Sequence, residues 1–416
     1  MTDGNLFSDM MRKNLLESLN SKHDDDEDEE EEEEDEEETD IVGELNHKVW
    51  SGSNATDRDS RFNVTNGFEE SHYQLEEWTA QTYYQPFQSE SVKPVIFIAH
   101  HGAGSSGLTF TLLAKELLRI SKDSQVNSGD DLDIPGFFCF DMRGHGQSKF
   151  VETVDCRDYS IQTLCVDFIN ILGEFFARNE FDTVKCRPSI FFIGHSLGGS
   201  ILTKILKEDM IQNQFIKDCI KGLVLLDIVE EIAVKALDGM QGYIDHRPKS
   251  FASLSDALQW HLDSGLLHNE ESGFISIPFL FSKRVIEGCP VYEWVTDLKS
   301  TKPYWKGWFT GLSNGFITIS SRIAKMLVLS NHENLDKYLT IGQMQGKFQL
   351  VVFRNQQNSQ FGHFIHEDIP NKVAYSILDF VDRNDFTRPK SVLHHDEGTS
   401  QRELIQKLNA KWGVKK

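Results

Sequence analysis

The feature that most constrains the fold of this chain is a set of short, uninterrupted apolar runs. A strand with one face in water alternates apolar and polar residues, whereas a strand covered on both faces is apolar throughout. Runs of the second kind lie at 94–99, 136–140, 189–193, 222–226, 325–329 and 347–353. Helical patterns, such as 109–120 and 161–176, separate several of them. This order predicts an α/β fold with a mostly parallel sheet, right-handed crossovers and helices on both faces.

One interval, about residues 238–320, breaks this order because it contains no clear strand for such a sheet and many aromatic side chains. Insertions above the carboxyl edge of a parallel sheet commonly form a cap over a ligand pocket. We therefore expect a helical cap insertion here. Trp305, Trp308 and Phe309 lie close to Lys302 and Lys306 in this interval. Two interpretations stay open: these tryptophans pack the cap onto the body, or they line a groove for a peptide.

The net charge of −23 is concentrated in one segment, because residues 24–38 are all Asp or Glu. The remainder is only mildly acidic and has no basic field to release counterions from nucleic acid, so we expect no nucleic-acid surface. Within the 416 residues we predict a disordered acidic tail at 1–70, a folded domain at 71–385 and a polar C-terminal tail at 386–416. The sequence does not decide whether the acidic run docks onto a basic partner.

The cysteines and the chain start bear on the cellular compartment. None of the six cysteines has C-x-x-C spacing, and no Cys/His cluster has the spacing of a zinc site. The first residues lack a basic segment followed by an apolar stretch, and no apolar run approaches the roughly 18 residues of a membrane span. We therefore expect reduced thiols, no membrane association, and a cytoplasmic or nuclear location, or both.

The sharpest chemical signal is the segment Gly194-His195-Ser196-Leu197-Gly198, which fits G-x-S-x-G. The apolar run at 189–193 leads into it and a helical pattern follows. Strand, tight turn and helix form a nucleophile elbow, in which the serine occupies a strained apex. The flanking glycines are needed because side chains there would clash with the neighbouring strand and helix. This context predicts Ser196 as a nucleophile.

A glycine-rich turn, His101-Gly102-Ala103-Gly104, follows the first apolar run. In this position such a turn supplies one backbone N–H to an oxyanion hole, and the residue after the serine supplies the other. The predicted donors are therefore Ala103 and Leu197. Losing one donor of this kind typically costs about 3 kcal/mol of transition-state stabilisation.

A base is expected late in the chain, because the order in an elbow-type hydrolase is serine, acid, histidine. His363 follows the run at 347–353 and is the predicted base. His366 is the rival, although its place in the first turn of a predicted helix is more typical of a surface residue. His332 follows the wrong strand.

The acid has two candidates. Asp227 directly follows the buried run at 222–226, where a carboxylate would be energetically unfavourable unless it had a partner. Asp336 follows the run at 325–329, which is the commoner location of the acid. Strand order alone leaves both open. Asp141 precedes the serine, so we interpret it as part of a structural turn under the site.

Together these residues resemble the α/β-hydrolase superfamily. The segments 226–230, 307–313, 339–348 and 362–368 are similar to the protein phosphatase methylesterase family, and the run that ends in Gln-Met-Gln-Gly-Lys-Phe is the most specific of them. The resemblance covers about residues 75–385. Three departures are visible: Ala103 stands where the family commonly has glycine, the loop between 348 and 363 is longer, and the acidic run lies at the N-terminus rather than in the cap.

The resemblance implies a reaction: hydrolysis of the methyl ester on the C-terminal leucine of the type-2A protein phosphatase catalytic subunit. It also implies Asp227 as the acid, beside Ser196 and His363, with no metal or organic cofactor. Trp305, Trp308 and Met344 are the expected substrate-binding residues. A generic small-molecule esterase or lipase is the alternative function, and a non-catalytic binding protein on the same scaffold is a third.

Overall fold

The structure is a computed structural model. The residues that it describes are 59–62, 66–89, 93–128, 133–151, 157–181, 186–330, 334–355 and 360–385. The predicted C-terminal tail at 386–416, and the predicted N-terminal tail up to residue 58, lie outside these residues.

Within the described residues, nine strands form one central sheet and five shorter or peripheral strands pair elsewhere. The strands in chain order are β1 (Glu69–Gln74), β2 (Trp78–Gln85), β3 (Gln88–Ser89), β4 (Val95–His100), β5 (Asp133–Ile134), β6 (Gly136–Phe140), β7 (Lys149–Phe150), β8 (Ser189–His195), β9 (Ile220–Leu226), β10 (Ser250–Phe251), β11 (Phe281–Ile286), β12 (Cys289–Trp294), β13 (Ala324–Ser330) and β14 (Gln349–Phe353). The order across the sheet is β1-β2-β6-β4-β8-β9-β13-β14, with β7 paired to β2. The strands from β6 to β14 along this order are parallel, whereas β1, β2 and β7 join antiparallel.

Helices connect and cover these strands. In chain order the described ones are α1 (Thr111–Ser128), α2 (Ile161–Arg178), α3 (Leu197–Lys207), α4 (Gln214–Cys219), α5 (Glu230–His246), α6 (Leu254–Asp263), α7 (Glu270–Ser276), α8 (Trp305–Phe309), α9 (Leu312–Thr318), α10 (Lys337–Met344), α11 (Ile365–Asp368) and α12 (Pro370–Asn384). Helices α1 and α12 contribute to the core on one face of the sheet, and α2 and α3 to the core on the other.

The parallel strands are buried on both faces, as their continuous apolar runs predict. Along β8, Ile190 and Phe192 belong to the core under α2 and α3, whereas Phe191 and Ile193 belong to the core under α1 and α12. All six predicted runs are strands, with bounds shifted by a few residues. No helix in the described part of the chain is both long and apolar enough to span a membrane. The five cysteines among the described residues are free thiols.

The N-terminal side of the folded region begins earlier than the sequence suggests. β1 starts at Glu69 and pairs antiparallel with β2, an edge hairpin that lacks a buried apolar run and was not predicted. Before it, the Phe62 ring lies 5.1 Å from the Phe274 ring on α7, and the Arg61 guanidinium lies 4.6 Å from that ring. These two side chains, which precede the predicted domain start at residue 71, therefore pack onto the folded part.

The insertion between β9 and β13 is the cap, and it is not purely helical. It starts with α5 at Glu230, earlier than the predicted residue 238, and continues to α9. Beside its helices it holds an antiparallel sheet of order β10-β12-β11. β11 and β12 are joined by a two-residue turn in which Glu287 and Gly288 both have positive φ. The sequence did not reveal this hairpin because β11 is exposed after its first residue.

Candidate active site

The turn between β8 and α3 carries Ser196 at its apex. β8 is buried along its whole length, and α3 begins directly after the serine. Ser196 has φ 51° and ψ −120°, a conformation that strains a residue with a side chain. Its backbone N–H donates to the Leu226 carbonyl of β9 at 3.2 Å. The predicted strand–turn–helix arrangement is therefore confirmed.

Two glycines permit this tight turn. A Cβ added at Gly194 would lie 2.5 Å from the Cα of Gly199 on α3, and a Cβ added at Gly198 would lie 2.1 Å from the His100 carbonyl oxygen on β4. The clashing groups are backbone atoms, so no side-chain rotation can relieve them. The expected clashes with the adjacent helix and strand are confirmed at both positions.

Asp227 and His363 form a hydrogen-bonded pair at the carboxyl edge of the sheet. His363 Nδ1 lies 2.9 Å from Asp227 Oδ2. Ser330, the last residue of β13, donates to Asp227 Oδ1 from its backbone N–H at 2.7 Å and from its hydroxyl at 2.8 Å. Both carboxylate oxygens therefore accept hydrogen bonds, which holds the carboxylate in one orientation towards the imidazole.

The other two acidic candidates have structural contacts instead. Asp336 is the N-cap of α10 and accepts from the Leu339 N–H at 3.0 Å. Asp141 follows β6 and accepts from the N–H groups of Gly107 at 2.7 Å and Gln147 at 2.8 Å. The interpretation of Asp141 as part of a structural turn is confirmed. Of the two acids that strand order left open, Asp227 is the one that contacts His363.

His195, the residue before the serine, holds the backbone of His363. Its Nε2–H donates to the His363 carbonyl at 3.0 Å, and the two ring centroids are 4.6 Å apart. The ring is fully buried, and burial lowers its pKa well below the usual value, so it stays neutral. This positioning contact was not predicted, although its place inside the G-x-S-x-G motif was the available signal.

The two predicted oxyanion donors lie on either side of the serine. A Cβ added at Gly102 would lie 3.0 Å from Ser196 Cβ, so the turn that contains Ala103 packs directly against the nucleophile. Leu197 is the first residue of α3, where a helix leaves its N–H groups without intrahelical partners. Among the described residues, neither the Ala103 nor the Leu197 N–H donates to another backbone group. Both groups therefore retain hydrogen-bonding capacity for a ligand oxygen.

Two buried histidines fix the shape of that turn. His101 Nδ1–H donates to the Gly102 carbonyl at 2.8 Å, and its Nε2 accepts from the Met142 N–H at 2.9 Å. His145 Nε2 accepts from the Gly104 N–H at 2.9 Å. Burial lowers the pKa of His145 to about 4, so its ring remains neutral and can accept this bond. These contacts of His101 and His145 were not predicted from the sequence.

His366 has a different environment from the one predicted. It is fully buried, with its ring centroid 4.6 Å from Phe110 and 4.5 Å from His195. The expectation of a surface role is therefore wrong, because α11 turns this residue inward, against the sheet core. Burial lowers the pKa of His366 to about 3. Asp227 contacts His363 rather than this residue.

The loop that carries His363 is bound to the cap through Asp368. The Asp368 carboxylate accepts the His268 N–H at 2.7 Å and lies 3.2 Å from His268 Nδ1. It also accepts the Gly362 N–H at 2.9 Å, one residue before His363. The same carboxylate thus links the cap segment before α7 to the backbone of the His363 loop.

Glu367 forms a second link between the same two segments. Its carboxyl accepts from the Ser272 hydroxyl at 2.9 Å and also from the Ser276 hydroxyl, both on α7. Asn269 donates to its backbone carbonyl at 2.8 Å. Burial raises the pKa of Glu367 to about 8, so the carboxyl is mostly protonated at neutral pH.

Ser196, Asp227 and His363 line one cavity of about 360 Å³, which the cap covers with mainly apolar side chains. Trp305 and Trp308 line it as well. This volume lies at the lower end of the range for ligand pockets in proteins. The sheet edge therefore supplies the reactive groups, and the cap supplies most of the surface that a substrate would contact.

The two tryptophans also pack the cap onto the body. Trp305 Nε1–H donates to Thr301 Oγ1 at 2.8 Å, and Trp308 Nε1–H donates to the Tyr159 carbonyl at 2.7 Å. Both are buried members of the main core. The two interpretations of these residues are therefore compatible, since both residues belong to the core and both also line the pocket. Lys302 and Lys306 are exposed and lie outside this cavity.

Met344 lies apart from this cavity. It is 84% exposed at the end of α10, which also exposes Tyr338 and Ile341. None of the three lines the pocket. Met344 therefore lies on the surface outside this cavity, and its role in substrate binding stays a prediction.

Comparison with known proteins agrees with the fold. The alpha/beta hydrolase family model matches residues 95–374. Among solved structures, E-2-(acetamidomethylene)succinate hydrolase aligns with a TM-score of 0.55 at 16% identity, covering 76% of this chain and 99% of that one. The peroxisomal alpha-beta-hydrolase Lpx1 from Saccharomyces cerevisiae aligns with a TM-score of 0.53 at 13% identity, covering 84% and 98%. The chain is therefore an α/β hydrolase.

Sequence relatives show to which family of α/β hydrolases the chain belongs. Protein phosphatase methylesterase 1 of Debaryomyces hansenii is 46% identical over 309 residues, which is 73% of this chain and 72% of that protein. The protein of the same name from Candida albicans is 44% identical over 304 residues, with coverage of 73% and 72%. The one from Saccharomyces cerevisiae is 39% identical over 290 residues, with coverage of 70% and 67%. The chain belongs to the protein phosphatase methylesterase family.

Proposed function

We propose that this protein removes the methyl ester from the C-terminal leucine of a type-2A protein phosphatase catalytic subunit. The observation that carries the proposal is the Asp227–His363 hydrogen bond in the pocket that Ser196 also lines, in a chain that is 46% identical to a protein phosphatase methylesterase 1. Ser196 is the proposed nucleophile, His363 the base and Asp227 the acid. The cytoplasmic or nuclear location expected for the protein stays a prediction.

The proposed reaction has two steps. In the first, His363 Nε2 takes the proton of Ser196 while Oγ forms a bond to the ester carbonyl carbon, and the imidazolium is stabilised by Asp227. The Ala103 and Leu197 N–H groups donate to the oxyanion. The bond to the methoxy oxygen breaks, and methanol leaves with the proton from His363.

In the second step, water replaces methanol in the same position. His363 takes a proton from the water while the hydroxyl oxygen attacks the acyl carbon. The bond to Ser196 Oγ then breaks, the serine recovers its proton, and the leucine carboxylate is released. This sequence needs no metal or organic cofactor.

Recognition of a folded partner requires more surface than the ester itself. Trp305 and Trp308 are proposed to contact the chain end inside the pocket, because both line it. Met344, with its neighbours on α10, is proposed to contact the body of the phosphatase outside the pocket. Large exposed apolar side chains of this kind are typical anchors of protein interfaces.

The test is a comparison of two esters. Methanol release from the carboxymethylated phosphatase subunit is measured beside hydrolysis of a short-chain aryl ester, with the same enzyme preparation. The proposal expects a much larger kcat/KM on the phosphatase. Activity on the aryl ester alone would favour a generic esterase. As an independent measurement, the Ser196→Ala protein should retain the methylated subunit in a pull-down, since it can bind the ester but not turn it over.

A further inference from the structure

The pocket that Ser196 lines also contains a positive charge. Arg247 is the only lysine or arginine among the described residues that line this cavity. It follows α5 and is partly buried by the cap. The reaction proposed above uses neither its charge nor its hydrogen-bond donors.

The guanidinium is held in place by an aromatic ring rather than by an anion. The guanidinium carbon of Arg247 lies 4.2 Å from the centre of the Trp294 ring. Trp294 is itself fixed, because its Nε1–H donates to the Pro248 carbonyl at 2.8 Å. A guanidinium that rests on a ring keeps its five N–H donors at its edge, where they can bind a planar anion.

No carboxylate in the described part of the chain pairs with this guanidinium. Burial lowers the pKa of Arg247, and Asp297 is a carboxylate whose charge acts against that shift without a direct ion pair. Asp297 Oδ1 instead accepts the N–H groups of Lys299 at 3.1 Å and Ser300 at 3.3 Å. A partly buried charge without a counterion is unfavourable, so such an arrangement needs another explanation.

A role in stabilising α5 does not explain the side chain. A cation after the last turn of a helix interacts favourably with the helix dipole, and the Arg247 backbone N–H does cap α5 by donating to the Tyr243 carbonyl at 3.0 Å. The guanidinium, however, makes no hydrogen bond to an α5 carbonyl or to any other described residue. Its donors remain available inside the pocket.

Two polar side chains that line the cavity near Arg247, those of His261 and Tyr243, are uncharged at neutral pH. His261 lines the same cavity and donates from Nδ1–H to the Ala257 carbonyl at 2.7 Å. Burial, together with the nearby Arg247, lowers the pKa of His261 to about 4. Tyr243 also lines the cavity, and burial raises its pKa to about 12. At neutral pH both rings are uncharged, so neither ring neutralises the Arg247 charge or adds to it.

We propose that Arg247, stacked on Trp294 in the pocket that Ser196 lines, binds a carboxylate side chain of the polypeptide substrate located upstream of the esterified residue. The inference rests on the proposed function, because it assigns the ester to a polypeptide end. The ester group is neutral and reacts at Ser196. A carboxylate upstream would supply the anion that the guanidinium lacks, with the bidentate geometry that arginine and carboxylates favour.

The test uses short peptides that end in leucine methyl ester and carry one Glu at successive upstream positions, each matched by a peptide with Gln there. Wild-type enzyme should hydrolyse the best Glu peptide with a kcat/KM at least tenfold above its Gln partner, about 1.4 kcal/mol. Arg247→Met should bring that ratio close to one, and Arg247→Lys should retain part of it. Arg178→Met is the matched control, because Arg178 also stacks at 4.2 Å, on Tyr73, but lies outside the pocket; its ratio should equal that of the wild type.

Two results would overturn the inference: a Glu-to-Gln ratio near one at every position in the wild type, or a high ratio that survives in Arg247→Met. The Glu-to-Gln comparison in the wild type needs no variant. It therefore tests whether an upstream carboxylate is recognised even where Arg247→Met lowers the melting temperature. Failure of the proposed function gives a different pattern, because the wild type then releases no methanol from any of the peptides or from the methylated phosphatase.

Discussion

The two sides of the proposed catalytic centre are held by different kinds of contact. On one side, Ser196 and Asp227 follow adjacent parallel strands, and their backbone N–H groups donate to β9 and β13. On the other side, His363 lies on a loop after β14. That loop is bound to the cap by Glu367 and Asp368, mainly through side-chain hydrogen bonds to residues about a hundred positions earlier in the chain.

This difference predicts that mutations affect the positions of the two sides differently. Backbone hydrogen bonds within a buried sheet open only with the sheet itself, so the positions of the nucleophile and the acid depend on the stability of the whole body. The His363 loop is held by the His195 hydrogen bond and, in addition, by a few polar contacts with an inserted segment. Changes in the cap should therefore disturb the base before they disturb the nucleophile or the acid.

The largest effects are expected on the sheet-held side. Ser196→Ala should reduce kcat by about 10⁶-fold, because the reactive groups act as a unit. Asp227→Asn should reduce it by about 10⁴-fold, since the amide cannot stabilise the imidazolium. Asp336→Asn is the matched control and should leave kcat within a few-fold, because Asp336 caps α10 instead. The measurement is kcat on the methylated phosphatase; a larger loss in Asp336→Asn than in Asp227→Asn would contradict the assignment.

The next effect concerns how the cap is fixed to the body. Trp308→Ala removes a buried ring and its hydrogen bond to Tyr159, so the free energy of unfolding should fall by about 3–5 kcal/mol. Trp308→Phe keeps most of the ring volume and should lose about 1 kcal/mol for the missing hydrogen bond. Chemical denaturation measures both. An unchanged stability in Trp308→Ala would mean that the ring serves recognition alone.

A smaller effect is expected at the polar link to the cap. Asp368→Ala leaves the N–H groups of His268 and Gly362 without their acceptor, so the His363 loop should lose its defined position. We expect kcat on a small aryl ester to fall by roughly 10- to 100-fold, the range seen when supporting contacts of a site are removed. Asp379→Ala, an exposed change on α12, is the control. If Asp368→Ala kept wild-type kcat, the cap would not hold the base.

A different kind of effect is a pH dependence at Glu367. Its folded pKa of about 8 lies above that of an ordinary glutamate, so the folded state binds the extra proton between about pH 4.5 and 8. Stability contributed by this group therefore falls as pH rises through that window. Glu367→Gln, which keeps the shape without the ionisation, should gain stability relative to the wild type from pH 5 to pH 8. Unfolding free energies at the two pH values test this; an unchanged difference would show that Glu367 is already ionised in the fold at pH 5, as it is in the unfolded chain.

The sheet-held side could be predicted from the sequence because its information is local. Runs such as 189–193 are apolar on both faces, and the elbow glycines stand next to the serine that they serve. On the cap-held side the position of His363 was predicted, but the contacts that hold its loop could not be predicted in this way. The contact between His268 and Asp368 joins residues 100 positions apart, and no local pattern pairs the two. β11 is largely exposed, so it lacks the apolar pattern that reveals a buried strand.

The choice of the acid depends on both local and long-range information. Strand order alone left Asp227 and Asp336 open, because both follow apolar runs at the same edge of the sheet. The difference lies in Ser330, which ends β13 and donates two hydrogen bonds to Asp227. That support depends on the register between adjacent strands, which the sequence pattern does not specify.

The most direct test of the central claim is the mass of the phosphatase C-terminal peptide after incubation with enzyme. We predict that wild-type enzyme converts the methyl-esterified peptide to the free carboxylate with release of one methanol, and that Ser196→Ala leaves the ester intact while the folded protein remains stable. Conversion by Ser196→Ala at the wild-type rate, or an intact ester after incubation with active wild-type enzyme, would contradict the account.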